Sequence, residues 1–401
     1  MKKNLQKVSK MCLLSIASIP LIMTLGNSML IPVLPILEKK LHITSFQSSL
    51  FITSYSLASI LLIPIAGLLS DKYGRKKIIL PCLIIVIIGG LISGVAAWKM
   101  NQSYWTIIIG RLLQGVGAAG AAPIVLPLVG DLYPRDEDAS GALGIIETSN
   151  TFGKVLSPIL GAVFAAIIWF LPFYFISLLS LISFLLVLFF VKPSRKPKNM
   201  KLKAFVKNAR SIFKIEGNWL FSLFLVGGFA MFILFALQVF LSNQLETVYH
   251  LHNIKKGLVL AIPLIFLCVA SLVGGHLIKG NKQRMKKMIL MGLVLQAISL
   301  LFFREDYSIF ILLFLSSVIA VAIGFLLPTL DALITENIQK EQRGVITSFY
   351  SSARFIGVAI GPPIMSMFLT KALLIPAIFL ATFSFMLVIL VAKNIQVDEE
   401  C

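Results

Sequence analysis

Apolar residues run along this chain in long blocks, and polar residues gather in the short breaks between them. A bilayer core of about 30 Å is crossed by roughly 20 apolar residues in one helix, with a usual range of about 17–25. Twelve blocks qualify: 11–37, 46–69, 78–98, 104–130, 140–168, 171–191, 218–242, 256–278, 287–303, 308–335, 344–369 and 372–392. The expected fold class is therefore an all-α membrane protein with twelve transmembrane helices. The fifth and sixth blocks nearly fuse through Trp169, Phe170 and Leu171, and Pro172 sets the break between them. The longest interruption, Lys192–Gly217, holds Pro193, Pro197 and nine cations. It divides the chain into a six-helix bundle over 1–191, a basic linker over 192–217 and a second six-helix bundle over 218–401.

Composition agrees with this pattern. Hydrophobic residues make up 58% and charged residues 13%, against roughly 25% charged in an ordinary soluble domain. A net charge of +19 would point to nucleic acid in a soluble protein. Here the cations sit in the breaks, where topology control and contact with membrane lipid account for them, so no nucleic-acid partner is expected. One alternate set of breaks, counted with the N-terminus, holds twenty-six Lys and Arg. The opposite set holds seven: Lys39, Lys40, Lys99, Lys255, Lys256, Arg304 and Lys371. Cation-rich loops stay on the cytoplasmic side, which places both termini there, in a plasma or inner membrane. Lys2, Lys3, Lys7 and Lys10 before an apolar run imitate a secretory signal. The run is too long for a signal core and contains Pro20, Pro32 and Pro35, so it is expected to be a retained first helix. Cys12, Cys82, Cys268 and Cys401 show no redox or metal-ligand spacing, and neither metal nor cofactor is expected.

Short motifs narrow the class. Gly67-Leu68-Leu69-Ser70-Asp71-Lys72-Tyr73-Gly74-Arg75-Lys76-Lys77 is a glycine-punctuated basic turn between the second and third blocks. Its spacing resembles the loop signature of the major facilitator superfamily of secondary transporters. Three further stretches resemble the twelve-helix drug:proton antiporter branch of that family. They are Leu25-Gly26 with Pro32-Val33-Leu34-Pro35, then Arg111-Leu112-Leu113-Gln114-Gly115-Val116-Gly117-Ala118-Ala119, and then Gly153 through Ser157-Pro158 to Gly161-Ala162. In the last, Ser157 and Ala162 replace two glycines of the family pattern. An internal echo supports a two-part chain, because Gly153…Ser157-Pro158 recurs as Gly357…Gly361-Pro362. The resemblance implies that Asp71 and Arg75, with Gly67 and Gly74, form a cytoplasmic gating loop that latches the two halves, and that Arg111 takes part in proton coupling. One departure stands out: the stretch Asp131–Asp138 is acidic where many relatives carry arginine and glycine.

Charges inside the blocks are the sharper clues, since each costs about 2.5–3.5 kcal/mol to insert. Glu147, Asn150, Lys154 and Ser157 follow at spacings of three, four and three, which puts them on one helix face. Such a stripe should line a water-accessible cavity. Glu147 is the expected proton carrier, with Lys154 tuning it from about 10.5 Å along the axis. Gly153, Ser157 and Gly161 form an adjacent small-residue face where helices approach closely, and Pro158 can kink the helix. Gly357, Gly361 and Pro362 repeat that design, and both sets are expected at gating interfaces. Arg354 lies near mid-membrane, facing Asp331 or a substrate carboxylate. Asn27, Asn150, Gln238 and Arg354 are the expected cavity polar groups, Phe229 and Phe232 can add apolar wall, and His276 is read as a helix-end residue.

No phosphate-binding loop, nucleophile elbow or paired metal ligands occur, so an enzyme is not expected and an ion or substrate gradient must supply the driving force. Together these features predict a proton-coupled exporter of drugs or small amphipathic metabolites, working as a monomer with protons and a small molecule as its partners. Three intramembrane cations (Arg111, Lys154, Arg354) against two anions (Glu147, Asp331) lean towards an anionic or neutral substrate. Export of an acidic metabolite such as a siderophore is thus an alternative, as is nutrient uptake by symport.

Overall fold

The computed structural model describes residues 9–100, 103–133, 136–192, 202–278, 281–304, 306–338, 340–369 and 374–395. Lys2, Lys3, Lys7, Arg135, Cys401 and residues 193–201 of the expected linker lie outside them. Among the described residues there are α-helices and one short 3-10 turn, and no strand. In chain order the helices are α1 (Lys10–Ser28), α2 (Leu34–Leu41), α3 (Ser45–Tyr73), α4 (Arg75–Lys99), α5 (Tyr104–Ala121), α6 (Val125–Leu132) and α7 (Asp136–Ile167). They continue with α8 (Leu171–Phe190), α9 (Leu202–Thr247), α10 (Asn253–Ile278), α11 (Lys282–Leu301), α12 (Ile309–Asn337), α13 (Lys340–Phe368) and α14 (Leu374–Asn394).

Proline explains two of the breaks. Pro32 and Pro35 remove backbone donors, so α1 passes into α2 through a 3-10 turn at Ile31–Val33. Pro123 sits in the turn between α5 and α6. Each pair still reads as one apolar segment, Lys10–Leu41 and Tyr104–Leu132. Between α3 and α4 the chain reverses on a single residue, Gly74, at φ 104°, a conformation that a side chain would strain. α9 begins at Leu202, so the latter part of the expected linker is helical and continuous with the seventh apolar block.

Among the described residues ten segments are long and apolar enough to cross a membrane. The two expected spans that fall short are α11 and α13. α11 opens with Lys282, Arg284, Lys286 and Lys287, and α13 carries several Ser and Thr together with Arg354, which dilutes their apolar windows. The outer surface is greasy: Trp105, Phe189, Phe310 and Ile375 are each more than 70% exposed. A soluble protein does not display such a continuous apolar surface.

Helices α1–α8 pack mainly among themselves, as do α9–α14. The two groups meet chiefly along α3 with α13 and α7 with α10. Hydrogen bonds from Thr53 Oγ1 to the Ala359 carbonyl (2.7 Å) and from Ser352 Oγ to the Ile60 carbonyl (3.1 Å) tie α3 to α13. The motif glycines lie elsewhere. A Cβ on Gly153 would stand 3.0 Å from the Leu21 carbonyl oxygen, and one on Gly161 2.1 Å from that of Met29. Cβ atoms on Gly357 and Gly361 would stand 1.9 Å and 2.7 Å from the carbonyl oxygens of Gly228 and Phe232. These glycines therefore let α7 close on α1 and the 3-10 turn after it, and α13 close on α9, contacts within each helix group. The tight approach between groups belongs to Gly257 of α10, whose Cβ would meet Ala162 and the Pro158 carbonyl of α7 at 2.5 Å. Ser157 Oγ donates to the Gly153 carbonyl (2.7 Å) inside its own helix.

Candidate functional site

A cavity of about 810 Å³ lies between the two helix groups, walled by α1, α3, α5, α6 and α7 on one side and by α9, α10, α12 and α13 on the other. It extends from Tyr55 and Phe235 to an end bordered by Leu143, His276 and Thr347. Most of the wall is apolar, including Met23, Met231, Phe235, Phe355 and Val358.

Charged side chains enter this wall from α7, α12 and α13. Glu147, Asn150, Thr151 and Lys154 share one face of α7 and all line the cavity. Asn150 Nδ2 donates to both Glu147 carboxylate oxygens (3.2 and 3.4 Å), and its Oδ1 accepts from Thr24 Oγ1 at 2.5 Å. Lys154 is only 6% exposed, and its Nζ has no hydrogen-bond partner. Opposite, Arg354 Nη1 of α13 pairs with Asp331 of α12 at 3.3 Å, and the guanidinium carbon lies 5.6 Å from the centre of the Tyr350 ring. His276 also borders the cavity, with Nδ1 2.8 Å from the Leu272 carbonyl.

Other expected site residues fall outside this cavity. Arg111 is fully buried behind it. Its Nε donates to the Phe51 carbonyl (2.8 Å) and its Nη1 to the Gly26 carbonyl (2.8 Å) and Gln114 Oε1 (2.6 Å). Nη2 donates to Asn27 Oδ1 (3.2 Å), and the guanidinium lies 4.7 Å from the centre of the Tyr55 ring. Arg111 thus bolts α1, α3 and α5 together and meets the cavity only through Asn27 and Tyr55. Gln238, expected in the cavity, is instead buried on α9 outside the lining, with Nε2 unpartnered. α9 is packed on nearly every side there, so no polar face turns it towards the cavity. Phe229 and Phe232 stack on each other, also outside the lining.

At the Arg75 end, Arg75 forms an ion pair with Asp71, donates to Ser70 Oγ (2.5 Å) and reaches Asp131 Oδ2 at 3.4 Å. These contacts join α3, α4 and α6, all in the first helix group, so Arg75 braces that group rather than spanning the two. Contact between groups at this end comes from Gly67, where a Cβ would stand 3.0 Å from Ser348 Oγ, and from Leu68 packed with Val345 and Phe349. The acidic departure in the sequence gains a partner here, since Asp131 meets Arg75.

The opposite end holds a cluster that sequence reasoning missed. Glu246 of α9 accepts from Lys39 Nζ (3.0 Å) and from Lys256 Nζ (2.8 Å). Lys256 also donates to the Pro32 carbonyl (2.9 Å), and Ser242 Oγ to the Ile31 carbonyl (3.0 Å). Lys256, expected as a loop cation, lies inside α10 and is 2% exposed. Its signal in the sequence was weak: a lone carboxylate near the end of an apolar block, with no partner nearby.

A helical membrane protein with a cavity of this size between two packed helix groups has the architecture of a transporter. The chain belongs to the Major Facilitator Superfamily, whose family model matches residues 16–286 and 223–399. It is a multi-pass membrane transporter. It is 48% identical over 393 residues to the bacillibactin exporter of Bacillus subtilis (strain 168), covering 97% of this chain and 98% of that protein. Multidrug resistance protein 2 of the same organism is 26% identical over 380 residues, covering 90% and 89%. Among solved structures, a D-xylose–proton symporter superposes with a TM-score of 0.77 at 12% identity, covering 97% of this chain and 98% of that one.

Proposed function

We propose that this chain is a proton-coupled exporter of a siderophore of the bacillibactin kind. The carrying observation is the 48% identity to the bacillibactin exporter across 97% of the chain. Twelve membrane helices form two six-helix halves, 1–191 and 218–401, joined by the basic segment 192–217 and rocking about a central site. The cation asymmetry puts both termini in the cytoplasm. The cavity end at Leu143 and His276 then faces the cytoplasm, and the Lys39–Glu246–Lys256 end faces outward and is closed. Glu147 carries the proton. Held by Asn150 at the cavity wall, it can bind and release a proton as the cavity changes sides. Arg111 acts on the site from behind, through Asn27 and Tyr55, and Lys154 shares the α7 face with Glu147. The protein works as a monomer.

The test is transport by purified protein in liposomes with an acidic lumen. Bacillibactin should accumulate in wild-type liposomes, and Glu147→Gln should lower gradient-driven accumulation at least about tenfold while leaving counterflow exchange in place. General acid–base groups supply about 10²–10⁴-fold in other settings, so tenfold is a modest threshold. Full gradient-driven accumulation in Glu147→Gln would remove the coupling role, and no accumulation in wild type would remove the exporter reading. Broad drug efflux has one observation in its favour, the similarity to multidrug resistance protein 2, and a drug panel in the same liposomes separates it.

A further inference from the structure

We infer that Lys154 is the docking point for an oxyanion on the transported molecule, an amphipathic acid whose apolar or aromatic body rests on the cavity wall. The inference deepens the transporter reading above and rests on that cavity being the transport site.

Four side chains of the cavity wall are ionic in type, and three are already committed. Asp331 and Arg354 face each other at 3.3 Å. Glu147 is held by Asn150, which is itself fixed by Thr24. Lys154 alone of the four has no hydrogen-bond partner for its polar atom, although it is 6% exposed and belongs to the cavity lining. Glu147 lies two helical turns away, about 10.5 Å along the axis, and makes no ion pair with it. An ammonium withdrawn from water without a counter-charge is costly, and in membrane proteins such groups mark substrate or ion paths. An anionic guest would supply the missing charge. A lysine suits that task, since it is a point charge on a flexible four-carbon stem that can turn to meet an oxygen. The remaining wall fits the rest of such a guest: Met231, Phe235 and Phe355 offer apolar and aromatic surface, and 810 Å³ lies within the usual range of about 300–1,000 Å³ for small-molecule sites. A cationic guest would find both carboxylates engaged and Lys154 repelling it.

The test uses wild-type protein in nanodiscs of zwitterionic lipid, so that no anionic headgroup competes, and a matched pair of probes, 2-naphthoate and 2-naphthamide, in equilibrium dialysis. Wild type should bind the acid at least about tenfold tighter than the amide. Lys154→Gln should erase that preference while leaving amide affinity unchanged, and Lys154→Arg should keep most of it. A wild type without acid preference, or one that binds neither probe, overturns the inference. So does a preference that survives Lys154→Gln, or a variant in which both probes weaken together, which marks a structural lysine. Binding is read without a gradient, so failure of bacillibactin transport and failure of this assignment are separate results.

Discussion

The closed end of the cavity depends on one carboxylate, and Glu246→Gln is the perturbation that isolates it. Glu246 and Lys256 side chains are 6% and 3% exposed, whereas Lys39 is 70% exposed. Removing one partner of a buried ion pair costs about 3–5 kcal/mol, because the other charge stays buried without compensation. An exposed pair such as Lys39–Glu246 contributes about 1 kcal/mol or less. When this end opens and floods, Lys256 is hydrated and the substitution costs little, so nearly the whole penalty falls on the closed state. A shift of about 3 kcal/mol changes the ratio of closed to open roughly 100-fold. A population of about 99:1 would then approach 1:1. Nitroxide labels at His42 and His252, both exposed at this end, report the change by double electron–electron resonance after the four native cysteines are replaced. Glu246→Gln should add a long-distance population, and Lys39→Gln should shift the ratio by no more than about fivefold. Unchanged distances in Glu246→Gln, or a larger effect from Lys39→Gln, would refute the assignment of the buried pair as the lock.

Two further substitutions test the scaffold around the site. Arg111→Lys should lower the detergent-solubilised melting temperature by an amount equivalent to about 2–4 kcal/mol, because one ammonium cannot reach the Phe51 and Gly26 carbonyls, Gln114 and Asn27 together; scanning fluorimetry reads this, and an unchanged midpoint would contradict the bolting role. Gly357→Ala should destabilise by about 1–3 kcal/mol or more, since its Cβ would stand 1.9 Å from the Gly228 carbonyl oxygen. Gly130→Ala, with nothing within 4 Å of the added atom, should be neutral in the same scan.

The helical blocks were legible because crossing a bilayer is a local demand, met by consecutive apolar residues. Glu147, Asn150 and Lys154 of the expected α7 stripe were legible for the same reason, as positions on one helix, whereas Ser157, the fourth, is buried outside the cavity lining. Pairing of Asp331 with Arg354 could be posed because buried charges have few partners. What remained hidden depended on contacts far apart in sequence. Lys39 meets Glu246 across 207 positions and Lys256 meets Pro32 across 224, and no periodicity links them. Arg111 was conspicuous as an intramembrane charge, yet two of its acceptors are backbone carbonyls, which leave no mark in a sequence. Gln238 was misplaced because α9 is buried almost all round near it, so a polar residue there carries no facial signal.

The two seams between the helix groups differ, and the difference bears on the proposed exchange of access between the two ends. α3 and α13 are joined along their length, through Thr53 with Ala359, Ser352 with Ile60 and Gly67 against Ser348. α7 and α10 touch where Gly257 meets Pro158 and Ala162, but at the other end Ile145 and His276 both border open cavity. A motion that keeps the α3–α13 seam as its pivot must therefore part Gly257 from Pro158 as it brings Ile145 towards His276. The Lys39–Glu246–Lys256 cluster lies on the side that has to part, so it opposes opening of that end. Lys154 sits on α7 between those two ends, one turn before Pro158. A guest held there would stay between the two ends while the access at either one exchanges, which a single central site requires.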